Sequence, residues 1–483
     1  MKNLIFKKFN ILEIVLILSP IIDILISVSQ RTLNIDISLG LIIRSFLLFF
    51  MTMFTLVKSN YKYKKITIAY LAVFILYSIA FMANVYINKG SSFILSEAKG
   101  LIKAFYFPIC IITVLNYVET KNYKIDLKLL FFVMIEYILL LFLPSILNLG
   151  YESYVEDKIG TIGWFFSANE ISSIFSILIV LIVFSYKYIK NIAVYFGLII
   201  ISFYTVLQIG TKMPAVSAII AMLAFVMFYL IQYISTKDKK HIKSLCVGVG
   251  IIGIFSVIFI TSPVMKNFDI YKNFLIATRE KQEVVESNAV PVTENVVENV
   301  EENTTINADN NENQNNAKQE QSQKQTEEKI EDKNLTNDEI ATIIHSGRLD
   351  TMSDINVKFI NSNILNKIIG LGRIDIENND EFLIEMDYFD ILYNFGILGF
   401  IIYFLPAIII AVIVIKRVIK NKIILLLKDD YKFCYIIVIL NGLICAVAGH
   451  TLVAPAVNIY ISIVLIQLFR EYESKELIWR LQY

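Results

Sequence analysis

Long apolar runs recur along most of this 483-residue chain and constrain its fold more than any other feature. A helix that crosses a bilayer needs roughly 20 mostly apolar residues. About twelve such runs lie near residues 11–28, 37–57, 66–87, 101–118, 129–148, 167–185, 192–209, 213–234, 244–262, 388–415, 433–449 and 452–469. Only 18% of the residues are charged, which is too few for an ordinary soluble domain. The pattern predicts an all-α fold, a polytopic transmembrane helical bundle of about 12 spans.

The basic residues predict which side of the membrane each connection faces. Lysine and arginine are concentrated in alternate connections, such as 58–65, 237–243 and 416–422, and are sparse in the others. Cytoplasmic segments of membrane proteins carry such an excess. We therefore expect a multi-pass protein of the cell membrane with both termini in the cytoplasm. The large loop between spans 9 and 10 is then extracytoplasmic.

This topology divides the chain into spans 1–9, the extracytoplasmic loop, spans 10–12 and a cytoplasmic tail, at residues 1–262, 263–387, 388–469 and 470–483. Within the loop, residues 281–338 are rich in Asn, Gln, Glu and Lys, with almost no aromatic residues. Such a composition is typical of disorder. The flanks, near 268–277 and 340–369, place apolar residues at helical spacing, which predicts short interfacial helices.

Charged residues near the outer ends of the predicted spans are candidate functional residues, because a charge inside a membrane needs a partner or a task. Arg44 and Asp23 lie at similar depths in the first two spans, so Arg44 either pairs with Asp23 or faces a polar cavity. Lys99 and Lys103 share one helix face, where snorkelling to the interface is the alternative. Lys212 begins the eighth span, where a cation opposes the helix dipole and favours an anionic ligand.

More polar residues fall on the same predicted outer face. GWFFSANE (163–170) begins the sixth span, and EMDYFDILYNFGILGF (385–400) leads into the tenth. A lone histidine that ends the eleventh span, as His450 does, is more often structural. The further candidates are Asn169, Glu170, His345, Arg348, Arg373, Glu385, Asp387, Asp390 and His450.

Cations and carboxylates on one outer face suit the transfer of a sugar from a lipid-linked diphosphate. Nucleotide sugars are scarce outside the cell, so an activated donor there must be held in the membrane. Arginine and lysine stabilise the departing diphosphate, and a carboxylate or histidine takes the acceptor proton. No metal-ligand spacing is present, so we expect neither a metal nor another cofactor. The net charge of +1 gives no general attraction to nucleic acid.

Four motifs resemble those of the O-antigen ligase and O-antigen polymerase superfamily, bacterial membrane glycosyltransferases of the GT-C type. They are GWFFSANE, IGTKMPAVS (209–217), SGR (346–348) and EMDYFDILYNFGILG (385–399). The likeness covers most of the chain except the low-complexity insert. It implies an undecaprenyl-pyrophosphate-linked saccharide donor and an acceptor glycan or wall polymer. The product is then a surface polysaccharide of the O-antigen, capsule or teichuronic type.

The resemblance also implies roles for individual residues. Related ligases usually begin the last motif with a histidine that acts as general base; Glu385 stands there in this chain, with Asp387 as the nearest substitute. This departure makes attachment to lipid A less expected than polymerisation or ligation of another surface polysaccharide. The implied pyrophosphate-binding residues are Arg348, Lys212, Arg44, Lys103 and Arg373. Acceptor-binding or secondary roles fall to Asn169, Glu170, His345 and His450.

Two other functions remain open on sequence grounds. A lipid-linked oligosaccharide flippase, or another 12-span transporter, suits the span count, and Glu136 in the fifth span suits a transporter. The ionisable residues nevertheless favour the outer surface, and no internal repeat is evident. The third possibility is a non-catalytic membrane scaffold or sensor, in which the low-complexity loop would bind a partner. The expected partners are a lipid-linked donor, an acceptor, membrane lipids and other polysaccharide-assembly proteins. Polymerase and ligase are not distinguished.

Overall fold

The computed structural model of the chain describes residues 10–33, 39–58, 61–123, 127–154, 158–288, 336, 342, 348–375, 383–420 and 432–482. Fifteen α-helices account for most of these residues. They are α1 (Ile11–Arg31), α2 (Leu39–Lys58), α3 (Tyr61–Lys89), α4 (Ile94–Lys121), α5 (Leu127–Ile146), α6 (Ala168–Phe184), α7 (Ile192–Gln208), α8 (Lys212–Thr236), α9 (Lys240–Ile260), α10 (Pro263–Asn288), α11 (Arg348–Asn361), α12 (Ile364–Ile369), α13 (Asp387–Lys420), α14 (Lys432–Val447) and α15 (Pro455–Gln482).

Each of the twelve predicted spans overlaps one of these helices. Across the described residues, nine helices are long and apolar enough to cross a membrane, namely α1 to α6, α8, α9 and α13. The apolar parts of α7, α14 and α15 are shorter, at 10–17 residues. The all-α, polytopic prediction is therefore confirmed, and the count of twelve spans stays a prediction.

Helices α4 and α6 form the centre of the bundle. In the most apolar stretch of α6, 78% of the residues are buried inside the protein, against 22% in α3, so α3 presents most of its apolar surface outward. Helix α4 packs against α2, α3, α13 and α15, and α6 packs against α8, α14 and α15. Segments that begin α4, α6 and α13 are therefore held on a common framework.

The flanks of the predicted loop are helical. Helix α10 covers the first flank and continues to Asn288, and the disorder expected over 281–338 stays a prediction. Apart from Thr336, residues 289–338 lie outside the described residues. Helices α11 and α12 cover the described part of the second flank.

The chain divides into two compact units, Met1–Lys266 with Gly347–Tyr483, and Asn267–Ser346. The second unit is described only in α10 and at Thr336 and Thr342. All the described candidate site residues belong to the first unit.

Candidate functional site

The segment 370–373 crosses a break in α13. Gly396 has φ +66° and ψ −178°, which interrupts the helix. The backbone N–H of Leu371 donates a hydrogen bond to the Tyr393 carbonyl at 3.0 Å. A Cβ at Gly370 would lie 2.2 Å from the Asn394 carbonyl oxygen, so the two chains meet at a distance that requires glycine. This close crossing fixes the position of GLGR (370–373) against α13.

Glu97, near the start of α4, anchors the other side of the same segment. Its carboxylate is fully buried and accepts hydrogen bonds from the backbone N–H groups of Arg373 (2.8 Å) and Ile374 (3.1 Å). The Lys89 ammonium also donates to it at 2.6 Å. A buried charge needs such partners. Neither Glu97 nor Lys89 was predicted from the sequence as a site residue, although a carboxylate about one turn before a predicted span was a usable signal.

Glu385 is the meeting point of four chain segments. The Arg348 guanidinium donates to Glu385 Oε2 through Nη2 at 2.6 Å and through Nε at 3.2 Å. Asn169 Nδ2 donates to the other oxygen, Oε1, at 3.3 Å. His450 Nε2 lies 3.4 Å from the same Oε1. The structure thus brings together four predicted site residues that are separated by up to hundreds of positions in the chain.

Asp387 has a different environment from Glu385. Its side chain is fully buried and accepts hydrogen bonds from three consecutive backbone N–H groups, those of His450 (2.9 Å), Thr451 (2.9 Å) and Leu452 (2.7 Å). The carboxylate is therefore committed to holding the 450–452 turn. This geometry corrects the prediction that Asp387 is a substitute base, because both of its oxygens are occupied and it is closed to solvent.

The groups at Glu385 shift each other's protonation equilibria. The hydrogen bond with His450, and then that with Arg348, lower the pKa of Glu385 to about 2 despite partial burial. Burial alone would lower the pKa of His450. The hydrogen bond to Glu385 and the negative charges of Asp387 and Glu385 outweigh it, and the pKa of His450 is raised. At neutral pH Glu385 is an anion that favours the protonated imidazole.

A cavity of about 340 Å³ lies among α1, α2, α4, α6 and α15, and its lining does not include the residues of the Glu385 cluster. Four cationic side chains line it, and apolar residues from α1, α6 and α15 form much of the remaining wall. The cationic residues are Arg44, Lys99, Lys103 and Arg373. Glu170 also lines the cavity, whereas its neighbour Asn169 contacts Glu385. The first turn of α6 therefore joins the cavity to the Glu385 cluster.

Arg44 fulfils both roles that its sequence position allowed. It forms a buried ion pair with Asp23, and it also lines the cavity. The hydroxyl of Tyr137 donates to the second oxygen of Asp23 at 2.7 Å. The pair fixes the orientation of the guanidinium at the cavity wall.

Lys212 is not one of the residues that line the cavity. Helix α8 begins at Lys212 after Gly210, whose φ is +80°, as the sequence predicted. Lys212 is close enough to Arg348 and Lys158 for their positive charges to repel it. It therefore belongs to the Arg348 side of the site. His345 lies outside the described residues.

Comparison with protein-family models decides the family. The model described as O-antigen ligase like membrane protein matches residues 5–474, nearly the whole chain. The chain is an O-antigen ligase-like membrane protein. A search of curated proteins finds no match. Membership confirms the resemblance that the sequence motifs suggested.

The O-antigen ligase-like chain is therefore a multi-pass membrane enzyme of polysaccharide assembly, of the glycosyltransferase type. The family implies lipid-linked saccharide and glycan substrates. This favours the enzyme over the transporter and scaffold hypotheses.

Proposed function

We propose that the protein transfers a saccharide from an undecaprenyl-pyrophosphate-linked donor to an acceptor glycan or wall polymer outside the membrane. The observation that carries the proposal is the cation-lined cavity beside the Glu385 cluster. A lipid diphosphate needs cationic ligands next to an apolar environment, and the cavity offers both. The product is a surface polysaccharide of the O-antigen, capsule or teichuronic type.

The diphosphate lies in the cavity, with Arg44, Lys103 and Arg373 as its ligands. Arg348 and Lys212 approach it from the Glu385 side. As the glycosidic bond to the diphosphate breaks, negative charge grows on the leaving oxygen, and these cations stabilise it. They supply this charge without a metal ion. A displacement on the opposite face of the sugar inverts the anomeric centre.

The acceptor hydroxyl attacks the face of the anomeric carbon opposite the diphosphate, within reach of the Glu385 cluster. Its oxygen forms the new glycosidic bond, its proton passes to a group of the Glu385 cluster, and the lipid diphosphate leaves with the bonding electrons. Asn169 and Glu170 face the two halves of the site, so we assign them to holding the acceptor between them. His345 remains a proposed secondary residue.

Alanine variants at Arg348 and Lys103 test the proposal in cells that lack the native chain. We expect at least a tenfold loss of long-chain surface polysaccharide at unchanged protein levels, with the lipid-linked precursor accumulating outside. Polysaccharide gels and mass spectrometry of extracted lipids measure both. Lys239→Ala, at an exposed lysine before α9, is the matched control and should retain full polymer.

The accumulated precursor distinguishes the candidate functions. Single repeat units displayed outside indicate a polymerase, whereas complete chains still attached to the lipid indicate a ligase. Precursor trapped on the cytoplasmic face would instead identify a flippase. Normal polymer in both alanine variants would refute the proposed site.

A further inference from the structure

We propose that His450 is the proton acceptor for the acceptor hydroxyl and that Glu385 is the positioning residue that orients its imidazole. The inference rests on the proposed glycosyl transfer and assigns the base within it. It moves that role from the tenth-span motif to the turn between α14 and α15.

The geometry at Glu385 leaves that carboxylate poorly suited to take a proton. Both of its oxygens already accept hydrogen bonds, Oε2 from Arg348 and Oε1 from Asn169. The pKa of about 2 makes Glu385 a weak base at neutral pH. A general base works best with a pKa near the operating pH, where histidine titrates.

The contact with Glu385 selects one tautomer of His450. Nε2 faces Glu385 Oε1 at 3.4 Å, so the neutral ring carries its proton on Nε2 and keeps the Nδ1 lone pair. Nδ1 is then the atom that accepts the hydroxyl proton. The side chain of His450 is 18% exposed, enough for an acceptor group to reach it.

The backbone around His450 is held in place for this task. His450 has φ +66°, a left-handed conformation that is uncommon for a residue with a side chain. Its own N–H and the next two are bound by Asp387. A Cβ at Gly449 would lie 2.6 Å from the Glu385 carbonyl carbon, so the turn lies directly against Glu385. The hydrogen bonds to Asp387 and the close packing against Glu385 therefore fix the position of the imidazole.

The charged groups around His450 favour the step. Glu385 and Asp387 on the α13 side stabilise the imidazolium that forms, whereas Lys103 on α4 opposes it. Arg348 influences His450 only indirectly, because its guanidinium hydrogen-bonds to Glu385. The hydroxyl proton moves to Nδ1 as the acceptor oxygen bonds to the anomeric carbon and the lipid diphosphate departs. The imidazolium then releases its proton to water, which returns His450 to the neutral state.

His450→Gly tests the proton-transfer role directly. Glycine adopts a positive φ without strain, so this variant removes the imidazole and leaves the turn intact. Purified variants are added to membranes from the strain that lacks the chain, which contain its native lipid-linked saccharide, and released lipid diphosphate is measured. We expect a rate loss of about 10²–10⁴-fold. Added imidazole should raise the rate of this variant at least tenfold. His241→Gln, at a histidine in the first turn of α9, is the control and should keep wild-type rates without responding to imidazole.

The pH profile of Glu385→Gln gives an independent reading without any change at position 450. The wild-type rate should rise with pH as His450 loses its proton, because only the neutral ring is a base. Removing the Glu385 charge removes the main group that raises the pKa of His450. The rising limb should therefore move to lower pH, at a reduced maximal rate.

The outcomes separate this inference from the function beneath it. A wild-type protein that releases no lipid diphosphate overturns both. An active wild type with a His450→Gly variant near wild-type rate overturns only the role of His450. If the rising limb of the pH profile does not move in Glu385→Gln, the proposed action of Glu385 on His450 is also contradicted. A rate loss that imidazole fails to restore assigns His450 a structural role.

Discussion

At the scale of single residues, the unusual feature is a pair of left-handed side-chain-bearing residues in contact. Glu385 has φ +58° and His450 has φ +66°. Each such conformation costs of order 1–3 kcal/mol and persists only where the surroundings enforce it. The three hydrogen bonds to Asp387 supply that enforcement at His450. Strain at His450 is thus held by a buried carboxylate that accepts no proton in the proposed step.

Replacing Asp387 by alanine should release the 450–452 turn. Each hydrogen bond to a charged group contributes about 1.5–3 kcal/mol, and the freed backbone N–H groups would be left buried. We expect transfer to fall at least 100-fold, with a lower melting temperature in detergent. Added imidazole should not restore activity, since the turn itself is displaced. Asp387→Asn, which keeps one acceptor oxygen, should be intermediate. Wild-type rates in Asp387→Ala would contradict this role.

At the scale of helices, α13 is shaped by its interruption. Gly396 has backbone angles that are nearly restricted to glycine, and a Cβ there would lie 2.5 Å from the backbone nitrogen of Gly370. The hydroxyl of Tyr77 on α3 lies within hydrogen-bond distance of the carbonyls of Phe395 (2.7 Å), next to the break, and Ile369 (3.0 Å), at the end of α12. The break therefore lets one helix serve both as a span and as a support for GLGR (370–373).

Gly396→Ala should destabilise the protein by about 1–3 kcal/mol, because the added methyl group meets backbone in a strained conformation. A lower melting temperature in detergent and reduced polymer in cells would show it. Gly253→Ala is the matched control. It lies inside α9 with open space around the added Cβ, so it should be neutral or slightly stabilising. Equal melting temperatures for the two variants would argue against the strain.

At the scale of the whole molecule, the proposed chemistry requires the site to face outward. The lysines of 237–243 and 416–422 predict cytoplasmic ends for the helices that they join. The start of α8 and the Glu385 cluster lie at the opposite ends of these helices. The first turn of α6 connects the cavity to that cluster. The site can therefore meet a lipid-linked donor outside the cell only if these lysine-rich connections face the cytoplasm.

Reporter fusions test this orientation. Alkaline phosphatase, which is active only outside the cytoplasm, should be active when fused after residue 310 and inactive after residue 238. A green fluorescent protein fused at the same positions should give the opposite pattern. A cytoplasmic position for residue 310 would place the site on the wrong side for the proposed donor.

Much of the fold followed from the sequence because span formation is a local property. Each apolar run is long enough by itself to favour a helix, and helices are found at all twelve. The start of α8 at Lys212 and the pairing of Arg44 with Asp23 were likewise predictable, from turn chemistry and from equal depth. These features depend on residues that are close in the chain or on adjacent spans.

Only the tertiary structure decided which side chains meet. Glu385 and Asp387 are two positions apart, yet one binds Arg348 and His450 while the other holds a distant turn. Glu97 acquired its role because GLGR (370–373) passes over it, 276 positions away. Composition and spacing carry no information about such crossings, since they depend on how the helices pack. The sequence alone determined a polytopic helical membrane protein and predicted that its charged candidates share one face, and packing then distinguished the structural carboxylates from the proposed reactive cluster.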